Sequence, residues 1–509
     1  MCRNLQNSPL KSDRLLPKKT RIIISDYFPQ IPLTFWLLNS YRTESVFERI
    51  STNLATREFP LDPQPTRPVQ TRFRRIESPL PHPESVAVLQ ELRSHEPRSM
   101  GGQPPVIWDQ GEGCLVRDPY GNQWIDFSSG VLVTSAGHNH PRIVEAITRA
   151  ASQNVYHAYC FPTDIRARLT ARITKILPDP LARVFLLTTG SEATECAIKL
   201  AKTRALRQGG PAKRVIVGFD NAFHGRTMGA QLAGGIPGLK TWIGCNCADF
   251  VQVPYPDGFR CPDTSFDVFL KALEEKGVRP DQVAGVITET YQGCNATIMP
   301  EAYARELRQW CVRHGVTLIF DEVQAGFGRT GRMFGFEHCG IVPDVACFGK
   351  GISGGMPLSA VVGTEEIMSL YGPGEMTSTH SANPVCAAAA LANINIILEE
   401  DLTANAARLE PILLDYCRRI QESSGGRVGR VDGKGLVAAI QFTQPGTTNP
   451  DPDLAFQVVK EVVEQGVLLF APVGVGGGAI KLNPPLIITE DMLREGLEVI
   501  LETTARLAC

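Results

Sequence analysis

Several apolar runs in this chain end on residues that can do chemistry. After RVFLLTT comes Thr189-Gly190-Ser191-Glu192, opening a helical pattern. Gly-Ser at a helix N-terminus offers free backbone N–H groups, a hydroxyl and the positive end of the helix dipole, which suits a phosphate. A plain helix cap uses the same residues. After RVIVGFD comes Asn221-Ala222-Phe223-His224-Gly225. An aromatic there can stack on a flat ring or fill the core. After VTLIF comes Asp321, with Gln324 three residues on. A carboxylate that ends an apolar strand needs a partner, because burying it alone is costly. An arginine or a helix N-terminus would serve, and so would the protonated ring nitrogen of a ligand. After DVACFG comes Lys350, inside GKGISGG. Desolvation at a buried strand end lowers a lysine's pKa and frees its amine for Schiff-base chemistry. The flanking glycines let backbone approach a ligand closely. A surface lysine snorkelling from a strand end is the alternative.

These residues need a scaffold that brings strand ends together. From about residue 140 the chain alternates helical patterns (PRIVEAITRAASQN, SEATECAIKLAKTRALRQ, EAYARELRQWCVRHG) with short apolar runs (RVFLLTT, RVIVGFD, AGVITET, VTLIFDE, DVACFGK, SAVVGT). That alternation predicts a mostly parallel sheet covered on both faces. Such sheets bind ligands beyond the carboxyl ends of their strands. Before this block, PESVAVLQELRSH (83–95) predicts a short helix, and VIWD, CLVRD and QWIDF predict a small meander. After it, a helix over about 405–422 precedes two strands around a turn (RVGRVDGKGLVAAIQF). The helix DLAFQVVKEVVEQG, the strands VLLFAP and AIKLNP and a last helix follow, an α+β pattern. The expected organisation is an irregular extension (1–80), a segment joined to the smaller domain (81–140), a large domain (141–395) and a small C-terminal domain (396–509).

Order and spacing make these signals specific as a set. TGSEA, FHGRT, Glu289-x-x-Gln292, FDEVQAGFGRTG, GKGISGGMPLSA, THSANP and PPLIITE occur in that order. The series resembles the class III aminotransferases over roughly residues 105–505. The resemblance implies the fold-type I architecture of enzymes dependent on pyridoxal 5'-phosphate (PLP). That is an α/β fold with a mainly parallel, seven-stranded-type sheet, a smaller α+β domain and an obligate homodimer with shared sites. It implies that Lys350 is the Schiff-base lysine and the base that moves a proton between substrate and cofactor. Asp321 matches the acid on the pyridine nitrogen, Gln324 the partner of the ring's 3-oxygen, and Phe223, followed by His224, the stacking ring. Gly190 and Ser191 match the phosphate cup, and Glu289 the site glutamate after its strand. Thr379 matches a threonine that reaches the phosphate of the neighbouring subunit.

Three positions depart from the family pattern. Cys294 stands where many members carry an acid two residues after the Gln of the Glu-x-x-Gln element, and Lys481 where an arginine usually grips the α-carboxylate. A lysine is a point charge without a bidentate fork, and it suits a carboxylate, a phosphate or a phosphonate. His380-Ser381-Ala382 replaces the commoner aromatic-Gly-Gly. The expected reaction is transfer of an amino group from an amine or ω-amino acid, such as 4-aminobutyrate, to a 2-oxo acid in ping-pong fashion. A PLP lyase acting on a phosphorylated amine or aminophosphonate is the second reading. A racemase or decarboxylase and a non-catalytic PLP-binding regulator follow.

Composition agrees with a globular enzyme. Hydrophobic residues make up 43% and charged residues 20%, enough for a sizeable core, and a net charge of −2 gives no global field for nucleic acid or an anionic membrane. The 14 cysteines form no paired CxxC sets, and Cys245, Cys247 and Cys261 lack a second ligand pair, so reduced thiols in a cytoplasmic protein are expected and no metal. The apolar stretch IPLTFWLLNS is about half the length of a spanning helix and lacks a signal-peptide cleavage site. The first 20 residues are rich in Lys and Arg, as transit peptides are, but an irregular tail is the preferred reading.

Overall fold

The computed structural model describes residues 57–508, apart from 154 and 246. The extended tail and IPLTFWLLNS lie outside the described residues. Residues 57–80 depart from the irregular extension expected of them. Val69–Gln70 (β1) and Arg75–Ile76 (β2) form a hairpin, and β2 pairs with Gln123–Asp126 (β5). The segment is clipped to the C-terminal helices by ion pairs, Arg57 to Asp453 at 2.6 Å and Arg74 to Glu495 at 2.8 Å. Phe59 and Phe73 are buried beneath it. Prolines and scattered charges hide this anchoring, because its partners lie some four hundred residues away in sequence.

The meander is Gln110–Glu112 (β3), Leu115–Arg117 (β4) and β5, in the order β1-β2-β5-β4-β3. The run VIWD is not a strand. The reversal falls at Gly113, whose φ of 58° is open to glycine at no cost, and Gln110 and Gly111 before it are paired with Arg117 and Val116.

The central sheet has seven strands: Arg183–Leu187 (β6), Val215–Phe219 (β7), Phe250–Val253 (β8), Val283–Glu289 (β9), Thr317–Asp321 (β10), Val345–Phe348 (β11) and Ser359–Gly363 (β12). Their order is β6-β12-β11-β10-β9-β7-β8. β12 runs antiparallel to both neighbours, and the remaining pairs are parallel. β9, β10 and β11 are buried along their whole length, as continuous apolar runs covered on both faces must be. The helix Gly190–Gly209 packs on this sheet and ends at Gly210, φ 71°. The helix Pro384–Glu399 had no periodic signal. Most of its residues are buried, so it is apolar nearly all round.

The C-terminal strands Val428–Lys434 (β13), Val437–Phe442 (β14) and Ala479–Leu482 (β16) form an antiparallel sheet. Only Val467–Leu468 (β15) of VLLFAP is a strand, and it pairs in parallel with β5 of the first sheet rather than with its sequence neighbours. Lys481 lies opposite Ala439, in register on the face that β16 shares with β14.

Candidate active site

The register of the central sheet sets the site. Asp321 pairs with Glu289 on one side and Cys347 on the other, so the ends of β9, β10 and β11 lie level. Lys350 follows β11 by two residues. Its φ of 43° puts a non-glycine residue in the left-handed region, a strain that surrounding structure must hold. Burial pushes its amine down, while the charges of Asp321 and Glu289 act in the opposite sense.

Asp321 finds a partner other than the arginine or helix end considered from its sequence position. His224 Nδ1 lies 2.8 Å from Oδ2, and since a carboxylate only accepts, Nδ1 carries the proton. The Val323 N–H donates to Oδ1 at 3.0 Å. Burial opposes protonation of His224, but the hydrogen bond and charge of Asp321, with the charge of Glu289, raise its pKa on balance. Its Nε2 is buried without a hydrogen-bond partner. Glu289 accepts from the Phe223 N–H at 3.1 Å and from the Gly293 N–H at 2.8 Å. One carboxylate thus fixes the loop after β7 and the loop after its own strand. Burial pushes Glu289 up to about 7. Phe223 is half-buried on the first of these loops, with the Arg226 guanidinium 5.7 Å from its ring centre.

The helix that begins at Gly190 is capped by Thr189 in a reciprocal arrangement with Glu192. The cap occupies the Glu192 N–H, and the Thr189 carbonyl takes the Ala193 N–H. The N–H groups of Gly190 and Ser191 are those the helix leaves over, aimed outward at its positive end. The turn is therefore capped and still leaves two donors that could hold an anion. The loop after β7 closes on this turn: a Cβ on Gly225 would lie 2.3 Å from Ser191 Oγ, and Gly225 has φ +134°.

Lys481 reaches this site from β16. It is 3% exposed, and its Nζ donates to Gln324 Oε1 at 2.8 Å. Burial pushes its pKa down to about 7, helped by the charge of Lys350 and opposed by Glu289. Cys294 is buried beside it, and burial pushes that thiol up to about 12, so it supplies no anion in place of the missing acid. Thr379 stands apart: it is exposed, and its carbonyl lies 2.8 Å from His157 Nε2. Ser381 is buried and donates to the Leu186 carbonyl at 2.7 Å, a structural tie.

Sequence reasoning passed over residues 128–132. Ser129, Gly130, Val131 and Leu132 have φ of 48°, 57°, 66° and 61°, a left-handed turn packed on the turn that carries Lys350. Asp126 holds it by accepting from the Ser128 and Ser129 N–H groups, at 2.6 and 3.1 Å, and contacts His138 Nε2 at 2.7 Å. The signal available was Asp-Phe-Ser-Ser after an apolar strand, a pattern of side-chain to backbone turns.

Strand ends thus present an anion cup, an aromatic ring, a supported carboxylate and a partly desolvated lysine. The donor set fits PLP: the cup for its phosphate, Asp321 for its ring nitrogen, Lys350 for its aldehyde. Comparison with known proteins agrees. The model of the family "Aminotransferase class-III" matches residues 98–503. The chain belongs to the class III aminotransferases. A 4-aminobutyrate aminotransferase of Mycobacterium leprae is 35% identical over 443 residues, covering 84% of this chain and 97% of that protein. An acetylornithine aminotransferase of Methanopyrus kandleri is 34% identical, covering 77% and 92%. The crystal structure of a transaminase from the marine bacterium Virgibacillus is similar with a TM-score of 0.74 at 30% identity, over 82% of this chain and 95% of that one. An amine transaminase from an uncultivated Pseudomonas species, in a PLP-bound form, gives 0.73 at 29%, over 79% and 95%. The protein is a PLP-dependent transaminase, and these similarities do not favour the lyase reading. Among the described residues no helix is long and apolar enough to cross a membrane.

Proposed function

We propose that this aminotransferase takes the amino group of an ω-amino acid of the 4-aminobutyrate type and gives it to a 2-oxo acid. The observation that carries the substrate class is Lys481, a buried cation at the site whose hydrogen-bond partner is a neutral amide. An anionic group on the substrate would supply the missing counter-charge. The names of relatives such as the mycobacterial 4-aminobutyrate aminotransferase support the same class.

PLP, when bound, supplies the carbonyl carbon that takes up nitrogen and a ring that accepts the electrons left when a proton leaves the substrate carbon. The chain's own residues do the rest. Lys350 Nζ holds the cofactor and carries the proton at the reacting carbon, a role that its lowered pKa favours. Asp321, held by His224, keeps a proton on the ring nitrogen. Gly190 and Ser191 bind the phosphate, Phe223 stacks on the ring, Gln324 meets the ring's 3-oxygen, and Glu289 fixes two site loops. Thr379, exposed and held through its carbonyl by His157 in a segment with the exposed Tyr156, Tyr159 and Phe161, would complete the site of a second copy in a homodimer. The same reading divides the chain into a cofactor-binding domain (141–395) and a smaller one (396–509) joined by residues 81–140, which the β5–β15 pairing supports. It places the enzyme in the cytoplasm, where thiols as numerous as its described free cysteines stay reduced.

The test is spectroscopic. Purified protein should show a visible cofactor band that Lys350→Ala loses. A panel of ω-amino acids, plain amines and aminophosphonates is then added without an oxo acid. An ω-amino acid should bleach the band and a 2-oxo acid restore it. Response to plain amines alone, or release of ammonia or phosphate with the band intact, would overturn the proposal.

A further inference from the structure

Among the described residues Lys481 makes no ion pair, and retaining a buried amine in that state is costly, so Lys481 calls for a use. Its place suggests one. Lys481 Nζ lies 2.8 Å from the Gln324 amide oxygen, the orientation that suits its protonated form because an ammonium has donors only, and the amide nitrogen points the other way. The nitrogen points toward Gly293, where a Cβ would lie 2.1 Å from Gln324 Nε2 and 2.8 Å from Glu289 Oε1. Glycine is needed there to leave the amide its room. The Gln324 carbonyl is pinned as well, by the Tyr291 hydroxyl at 3.0 Å, and the ring of Tyr291 lies 5.6 Å from Lys481 Nζ. Backbone and side chain of Gln324 are thus held from both ends, and among the described residues the side-chain hydrogen bond that orients its amide comes from Lys481.

We infer that Lys481 is a positioning residue for the cofactor: it fixes Gln324 Nε2 as the donor offered to the ring oxygen of PLP and lends that oxygen a positive field. This rests on the reading that Gln324 meets that oxygen. Without Lys481 the amide is free to turn over and present its own oxygen, which repels an anionic ring oxygen. The other charged or titratable groups around Lys481 are Lys350 after β11, Glu289 at the end of β9, Cys294 and Tyr291 in the next loop, and Arg329 in the loop after β10. They are common to all variants compared below.

The holoenzyme and its Lys481→Met, Lys481→Gln and Lys481→Arg forms are titrated spectroscopically, and PLP dissociation is measured by equilibrium dialysis. Lys481→Met and Lys481→Gln should keep a visible band but raise its apparent pKa by about one unit, the lost charge and the turned amide acting together in a partly screened site. PLP should dissociate several-fold more readily from both. Lys481→Arg should restore both values. In a Gln324→Ala background, adding Lys481→Met should shift the band by less, because only the field of the charge is then lost. Two neutral variants guard against one failing to fold. Wild-type titration in Lys481→Met and Lys481→Gln would overturn the inference, as would an equal shift in the Gln324→Ala background, or arginine failing to restore the two values. Absence of any band in the wild type would instead sink the cofactor reading.

Discussion

Raising the pH should strip the site of its hold on anionic substrates, with a midpoint set by Lys481. Burial pushes that amine to about 7, far below a lysine's ordinary value. An anion that needs the ammonium sees fewer competent sites at each step above pH 7, and each unit costs about 1.4 kcal/mol, or tenfold. Between pH 6 and pH 9 the charged fraction falls roughly 90-fold. The probe is glutarate, which has two carboxylates and neither an amino nor an oxo group. Calorimetry at constant ionic strength gives its dissociation constant at each pH. Repeating pH 8 in buffers of different ionisation enthalpy should show about one proton taken up per glutarate bound on account of Lys481, and more to the extent that Glu289 contributes. Glu289, which burial holds at about 7, becomes negative over the same interval and adds to the decline. Lys481→Arg separates the two, since arginine stays charged throughout. Its profile should lose one full unit of slope and keep only what Glu289 contributes. Equal slopes in wild type and Lys481→Arg, or wild-type affinity that is flat from pH 6 to 9, would refute the reasoning.

The same depressed amine should make Lys481 a stability liability whose size depends on pH. The folded protein binds fewer protons than the unfolded chain between about pH 7 and the ordinary lysine range, so its stability rises with pH across that window. The Tm advantage of cofactor-free Lys481→Met over wild type should be largest near pH 6 and shrink toward pH 9; an advantage that grows with pH has the wrong sign. His224→Ala removes the partner of a buried carboxylate, at about 1–3 kcal/mol. It should weaken PLP binding by ten- to a hundredfold in a dialysis titration, whereas unchanged affinity would show that Asp321 needs no support. Gly225→Ala places a Cβ 2.3 Å from Ser191 Oγ. Phosphate-cup contacts should loosen, seen as faster PLP release in stopped-flow fluorescence, with global Tm lowered by only a few degrees.

Much of this protein was legible one segment at a time. Apolar runs covered on both faces read as strands without reference to anything distant, and the chemistry of Gly190, Phe223, Asp321 and Lys350 follows from standing just past such runs. A parallel sheet brings those ends to one edge whatever the order of its strands, so the candidate cofactor site was legible from the order and spacing of these segments along the chain. Strand order, and the reversal of β12, were not. Other features depend on partners that no local pattern names. Asp321 is held by His224, 97 residues earlier, and Lys481 by Gln324, 157 residues earlier. β15 leaves its own neighbours to pair with β5, and residues 57–80 are ordered by acids on the last helices. Ser129, Val131 and Leu132, flanking Gly130, are left-handed against their intrinsic preference, because Asp126 and the packed Lys350 turn hold them there. Sequence determines which side chains stand at strand ends, since burial and periodicity act over a few residues. Only tertiary structure decides which charges face one another, since that depends on contacts across the whole chain, and at Lys481 those contacts set both its pKa and its partner.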